Sequence, residues 1–325
     1  MKVVKVSPTE AHGHILVHNQ IGPDGRRVLR KGTKITKEAC ATLQALGLAE
    51  VYVAIFDEED IHEDDAARRL GALMQGHGLG LSNATTGRIN LIAERAGILK
   101  VDVEALLTFN DRPSITLATA LNQTPVQPKK VVGTIKIIPY SVPRTELEAV
   151  EAFLSSRQPV IKVEPFTVQR ALLITTGSEA ARDKVTGSFT GSLRERLKEF
   201  GTELTEGPYV AEDEQAICAA ITAALNSEAQ MILIAGETSI MDRDDITPRA
   251  IKAAGGDIIH HGVPVEPGNL FLLAYYDDIP IVGAPGCARS PSYNVIDMAL
   301  PRLAAGEKLT RRDLVAWGHG GYLKA

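Results

Sequence analysis

The chain has 325 residues, 44% of them hydrophobic and 23% charged, with a net charge of −5. That length allows two or three domains and the composition is that of a soluble globular protein. The acidic balance argues against a general nucleic-acid binder, and no apolar window approaches the ~20 residues of a membrane span. The apolar part of Met1–Val6 is too short for a signal peptide, and Cys40, Cys218 and Cys287 form no CxxC pair or disulfide framework. A cytoplasmic location is the expectation, with neither nucleic acid nor membrane as partner.

Residues 1–60 read as a small β-rich unit. Gly22-Pro23-Asp24-Gly25 is a turn, Val28 to Gly32 is short and basic, Thr36 caps a helix over Lys37–Leu46, and Val51–Ile55 is a strand. From Asp57 to Asp65 seven of nine residues are acidic, which reads as the solvated start of a helix over Glu63–Met74, where acids suit the helix dipole. Residues 61–165 read as an α+β unit. Gly76 to Gly80 is a loop without phosphate-loop spacing, and Thr86-Gly87-Arg88 precedes an expected amphipathic helix through Ala96. Asp102 caps a helix over Val103–Phe109, Val131–Ile138 is a strand and Glu146–Ser155 a helix.

Residues 166–325 alternate regularly. Strands are expected at Ala171–Thr176, Glu203–Glu206, Met231–Ala235, Asp257–His261, Phe271–Tyr275 and Ile279–Val282. Helices are expected at Ser188–Phe200, Glu212–Asn226, Ile246–Ala254, Ser292–Ala304 and Arg311–Trp317. This alternation predicts an α/β domain with a doubly wound, mostly parallel sheet.

Three of these strands end in small-residue loops: Thr175 to Glu179, Gly236 to Asp245 and Gly283 to Ser290. In a parallel sheet those ends share one edge, where ligands bind. Gly177, Gly236 and Gly286 permit close backbone approach, and helix N-termini after the second and third loops offer N–H groups to an anion. Thr238, Ser239, Arg289 and Ser290 add donors, while Asp242, Asp244 and Asp245 can accept from ring N–H groups or hold a divalent cation. This set suits a phosphorylated heterocycle rich in hydrogen-bonding groups. Asp244 or Asp245 is equally placed to cap the following helix. Cys287 has no evident partner base, His260-His261 reads as structural, and His12, His14 and His18 have no obvious fourth ligand for zinc.

At these loops the chain resembles the molybdopterin-binding domain family, which includes molybdopterin molybdotransferases, molybdopterin adenylyltransferases and gephyrin. Gly236, Ser239, Asp242 and Asp244 fall on the family's central loop, G-G-x-S-x-G-x-x-D. Thr176, Gly177 and Glu179 fall on T-G-D-E, and Gly283, Pro285 and Gly286 on G-x-P-G-N-P. Glu237 and Met241 stand where the family has glycines, Ser178 replaces an aspartate, Asn269 a lysine and Cys287 an asparagine. Over nearly the whole chain there is a closer resemblance, to the N-terminal region of bacterial fusions with a molybdenum cofactor cytidylyltransferase. His62-Glu63-Asp64, Thr86 to Leu91, Thr134 to Pro139 and Gly283 to Pro291 carry it.

The resemblance implies a molybdenum cofactor biosynthesis or handling protein that binds molybdopterin, or its dinucleotide form, at the carboxyl edge of the C-terminal sheet. In a molybdotransferase-like version, Asp242 or Asp244 holds Mg²⁺ or contacts the pterin, and molybdate is a further ligand. Thr176, Gly177, Glu179, Gly236, Thr238, Ser239, Pro285, Gly286, Arg289 and Ser290 would form the binding edge. The alternative is a non-catalytic carrier or scaffold for a separate nucleotidyltransferase or a molybdoenzyme. A homo-oligomer is the family expectation.

Overall fold

The computed structural model describes residues 1–323, in two compact units: residues 1–95 with 99–164, and 96–98 with the chain from 165 onward. None of the described helices is long and apolar enough to cross a membrane.

The first unit holds two apolar cores. One lies under a small antiparallel sheet in which Val51–Ile55 pairs with both Lys2–Val6 and Ile15–Leu16. Leu16, Ile35, Leu43 and Val53 fill it, and the helix Lys37–Ala45 covers it, capped by the Thr36 hydroxyl at 3.2 Å from the Ala39 amide. The other core lies on a four-stranded antiparallel sheet in the order Ile115–Thr119, Val131–Ile137, Arg88–Ala93, Leu79–Leu81. The helix Glu63–Met74 buries Leu70 and Met74 there, with Ile89, Leu91 and Ile135 in the same core. Its first turn carries Glu63, Asp64 and Asp65, as the acidic run suggested, but the start is not solvated throughout: Glu63 is buried and meets Lys136 at 3.2 Å.

Arg88 to Ala96 corrects the sequence expectation. Arg88–Ala93 is a strand, and its Ile89, Leu91 and Ala93 point inward at a period of two, not along a helical stripe. The turn before it fixes this outcome: Thr86 and Gly87 both have positive φ (52° and 67°), and the Gly87 amide is held by Asp64 at 2.7 Å. Two consecutive positive-φ residues suit a tight hairpin turn, and the antiparallel Thr85–Arg88 bridge closes it, so the chain leaves the turn already extended. Strands at Leu79–Leu81, Gly97–Val101, Ile115–Thr119 and Ile161–Pro165 also carry too few residues of clear alternation to be legible beforehand.

In the second unit, strands β1 (Arg170–Thr176), β2 (Glu203–Val210), β3 (Met231–Gly236), β4 (Asp257–His261), β5 (Leu272–Tyr276) and β6 (Ile279–Gly283) form one sheet in the order β2-β1-β3-β6-β5-β4. β2, β1, β3 and β6 are parallel; β5 runs antiparallel to β6, and the outer β4 antiparallel to β5, so β4 shares the direction of the parallel strands. The helices are α1 (Arg182–Lys198), α2 (Glu214–Leu225), α3 (Ile246–Ala253), α4 (Val295–Ala304) and α5 (Arg311–Ala316). Leu173, Leu233 and Val282 share a core with Phe189, Leu193 and Leu300, while Ile174, Ile232 and Ile281 share another with Ile217, Ile221 and Ile251. Alternate strand residues therefore feed opposite faces, and burial on both faces is why Met231–Ala235 is apolar throughout. The fold is the expected α/β, doubly wound and mostly parallel sheet.

Candidate functional site

β1, β3 and β6 are adjacent and parallel, so their carboxyl ends lie side by side. Thr176 pairs with Gly236, and Ile234 with Gly283, which brings the three loops to one edge. Backbone bonds stitch the loops together: the Glu237 amide donates to the Thr176 carbonyl at 2.8 Å, and the Ala284 amide to Ile234 at 2.8 Å. Close approach explains the glycines. A Cβ on Gly177 would lie 2.5 Å from the Tyr209 hydroxyl and 2.8 Å from Glu237 Cβ, and one on Gly236 only 2.8 Å from the Thr238 carbonyl oxygen. A Cβ on Gly286 would meet the Ser239 hydroxyl at 3.7 Å, so the second and third loops face each other there.

Arg289 anchors the centre. Its Nη2 donates to the Gly236 carbonyl at 2.9 Å, and its guanidinium lies 4.6 Å from the Phe189 ring centroid, a cation–π distance. Its Nε is buried and has no hydrogen-bond partner among the described residues. A buried N–H without an acceptor costs about 1–3 kcal/mol, so a ligand whose binding shifts the groups that seal this donor would gain by offering it an acceptor.

Glu237 is the principal surprise of the edge. Its carboxylate accepts from both the Ser178 amide and the Ser178 hydroxyl at 2.8 Å. Those two bonds, the amide first, hold its pKa below the usual carboxylate range, with the charges of Lys184 and Arg289 adding to them. The first loop thus spends its outward donors on a carboxylate of the second. Tyr209 closes the arrangement by donating to the Ser178 carbonyl at 2.7 Å; its own pKa is raised by burial and by the Glu237 charge.

The remaining sequence candidates spread outward from this centre. Glu179 turns to the start of α1 and pairs with Arg182 at 2.7 Å. Thr238 donates its amide and hydroxyl to Glu212, at 3.1 and 2.8 Å. Asp242 accepts from the Asp244 amide at 2.9 Å, and the exposed Asp244 carboxylate lies 3.7 Å from Lys252. Among the described residues no group of three or more His, Cys, Asp or Glu side chains is arranged to hold a metal. The cleft lined by Thr238, Ser239 and Asp245 encloses only ≈ 20 Å³, so a ligand larger than water must lie over the edge and not inside it.

The free helix N-termini expected from the sequence need correction. Asp245 caps α3, accepting from the Ile246 amide at 2.8 Å. A short 3₁₀ turn, Gly286–Arg289, follows the third loop, and α4 starts only at Val295 behind an Asn294–Asp297 capping box. These caps take up amides that an anion would otherwise meet. Ser290 is a loop anchor: its carbonyl accepts from Ser192 and Arg196, and its hydroxyl from the Ser292 amide. Burial raises the pKa of the Cys287 thiol, which keeps it a weak nucleophile at neutral pH. Tyr209, Phe189 and Arg196 were not singled out by sequence reasoning. Tyr209 lies past the expected end of its strand, and the other two look like ordinary residues of a helix.

Residues 172–305 match a family described as "Probable molybdopterin binding domain", and residues 5–55 match a domain of unknown function. A protein of Methanocaldococcus jannaschii named "Putative molybdopterin biosynthesis protein" is 34% identical over 98 residues, 30% of this chain and 24% of that protein. The aligned region thus spans about a quarter of that relative's length. Among solved structures, a molybdopterin biosynthesis MoeA protein of Pyrococcus horikoshii is similar over 96% of this chain and 75% of its own, at 14% identity and a TM-score of 0.33. The molybdopterin biosynthesis enzyme MoaB of Thermus thermophilus is similar over 43% of this chain and 98% of its own, at 16% identity and a TM-score of 0.31. The family match relates residues 172–305, within the second unit, to molybdopterin-binding domains.

Proposed function

We propose that this protein binds molybdopterin, or its dinucleotide form, over the carboxyl edge of β1, β3 and β6. The observation that carries the reading is the unpartnered Arg289 Nε at the junction of three glycine loops, within the region that matches the molybdopterin-binding family. Arg289 would take a phosphate or pterin oxygen, with Ser239 and Ser290 as further hydroxyl contacts. Thr176, Gly177, Gly236, Pro285 and Gly286 would form the floor on which the ligand's flat part rests. Mg²⁺ would need Asp242 or Asp244 together with ligand oxygens, because two carboxylates alone leave most of its octahedral shell to fill.

Of the two roles open to such a site, Glu237 favours that of carrier or scaffold. Its carboxylate occupies the Ser178 donors and places a negative charge beside the position of an incoming anion. That arrangement suits reversible holding better than stabilising the charge that develops in phosphoryl or molybdate transfer. The recipient would be a molybdoenzyme or a separate nucleotidyltransferase, and the protein would work as a homo-oligomer. Equilibrium titration of the pure chain with molybdopterin tests the reading; no binding beside a family member that binds would refute it. Turnover of molybdopterin with molybdate, ATP or CTP would remove the carrier role in favour of an enzyme.

A further inference from the structure

The second unit carries a further pocket whose lining includes none of the glycines of the three-loop edge. A cavity of ≈ 240 Å³ lies at the outer strand β4, between α3 and α5, with Arg243, Lys252 and Arg311 among its lining residues. Ile258, Ile259 and Leu272 give it an apolar wall. The local backbone builds this mixture. Ile258 pairs with Ala274 and His260 with Leu273, so Ile259 is an extra residue, a bulge in the β4–β5 ladder. A bulge re-aims the side chains around it, and here four consecutive residues, Ile258 to His261, line one cavity.

Its charge is one-sided. Arg243 and Arg311 form no ion pair or hydrogen bond among the described residues, and Lys252 reaches an acid only at 3.7 Å, in exposed Asp244. His260 is half-buried, and its pKa is lowered by burial first and then by the positive field of Arg311 and Arg243. His261 is held in place by its Nε2, 3.1 Å from the Ile240 carbonyl. Three cations converging on a hollow are notable in a chain whose net charge is −5. Cations and a bulge can serve to blunt a sheet edge against pairing, but that purpose needs no hollow with an apolar wall, and here the exposed Arg243, Lys252 and Arg311 surround one.

We propose that this cavity is a second ligand site, independent of the three-loop edge, that takes a small phosphomonoester. The phosphate would sit among Arg243, Lys252 and Arg311, where Arg offers its planar fork of donors. The organic part would lie against Ile258, Ile259 and Leu272. The volume lies below the roughly 300–1,000 Å³ typical of pockets for drug-sized ligands, so the ester group must be small, of the order of a single ring.

Calorimetric titration of the full chain with phenyl phosphate at low ionic strength tests this. One saturable site is expected, with Arg243→Glu and Arg311→Glu each weakening binding at least tenfold. Lys198→Glu, an exposed charge change on α1, and Arg289→Met, at the three-loop edge, should leave it unchanged. Inorganic phosphate should bind at least fivefold more weakly, because it makes no use of the apolar wall. The imidazole resonances of His260 and His261 should move during the titration while those of the other histidines stay still, a readout that does not depend on any substitution. Absence of saturation, wild-type affinity in both charge reversals, loss of binding in Arg289→Met, equal affinity for inorganic phosphate, or unmoved His260 and His261 resonances would each overturn the proposal.

Discussion

Arg196 should prove to be the residue that holds the third loop in place, and its removal the most damaging single change near the site. It is 8% exposed on α1 and donates to Asp297 at 2.8 Å through Nε, to the Ser290 carbonyl at 2.8 Å and to the Ser292 carbonyl at 3.1 Å. Arg196→Met keeps most of the stem and removes every donor. Asp297 is then left half of its partners short, and two carbonyls lose theirs. Breaking a buried ion pair by deleting one member costs about 3–5 kcal/mol. The single tryptophan, Trp317, is 9% exposed and packs near Phe271 in the second unit, so its fluorescence in urea reports that unit's unfolding. With a denaturant slope of about 2 kcal/mol/M, the midpoint should fall by about 1.5–2.5 M. Asp297→Asn combined with Arg196→Met should be less damaging than the sum of the two changes, because the second loss finds the pair already broken. A midpoint shift below about 0.5 M, or strict additivity, would refute the idea that this network holds the loop.

Removing the charge at Glu237 by Glu237→Gln should tighten molybdopterin binding by several-fold and reduce its dependence on salt; weaker binding by titration would show that the carboxylate contacts the ligand favourably. Gly177→Ala should impair ligand binding, since the new methyl meets Glu237 Cβ at 2.8 Å; unchanged affinity would show that the first loop does not frame the site. The Asp313 carboxylate is opposed by burial, but the Thr310 hydroxyl and amide and the Arg302 guanidinium outweigh it and hold its pKa at about 2. Its folded pKa lies below its unfolded one, so its contribution is fully present above about pH 4 and is lost as pH falls through about 2. Urea melts followed by Trp317 across that window should show a steeper loss in the wild type than in Asp313→Asn, of about 1–2 kcal/mol after allowance for solvent screening.

What the sequence made legible depends on how many faces an element buries. β1 and β3 are buried on both faces and read as continuous apolar runs, which only a strand in a covered sheet explains at that length. Arg88–Ala93 failed because its Ile89-Asn90-Leu91-Ile92-Ala93 run contains both a period-two and a helical apolar subset. The deciding signal was a turn, Thr86-Gly87, whose left-handed geometry no composition reveals for threonine. The site shows the same division. Glycines announce close backbone approach, so the three loops could be joined on paper. Phe189 under Arg289 and Arg196 behind Ser290 are separated by about 100 residues from what they hold, and nothing in local spacing marks them.

The loop between β3 and α3 also carries more than one duty, which a single motif conceals. Its first half, Gly236 to Ser239, is bonded to the neighbouring strand ends and to Arg289. Its second half folds on itself: the Asp244 amide goes to Asp242, the Met241 amide to Asp245 at 3.1 Å, and Asp245 caps α3. This places Arg243 among the lining residues of the β4 cavity, while Glu237 stays on the Ser178 side. The aspartates that resemble a binding motif thus also set the turn that separates two charged surfaces. Asp242→Ala should therefore disturb both: it frees the Asp244 amide, loosens the turn, and should weaken phenyl phosphate at the β4 cavity as well as molybdopterin at the sheet edge. Loss of molybdopterin alone would mean that Asp242 contacts that ligand directly and contributes nothing to the turn.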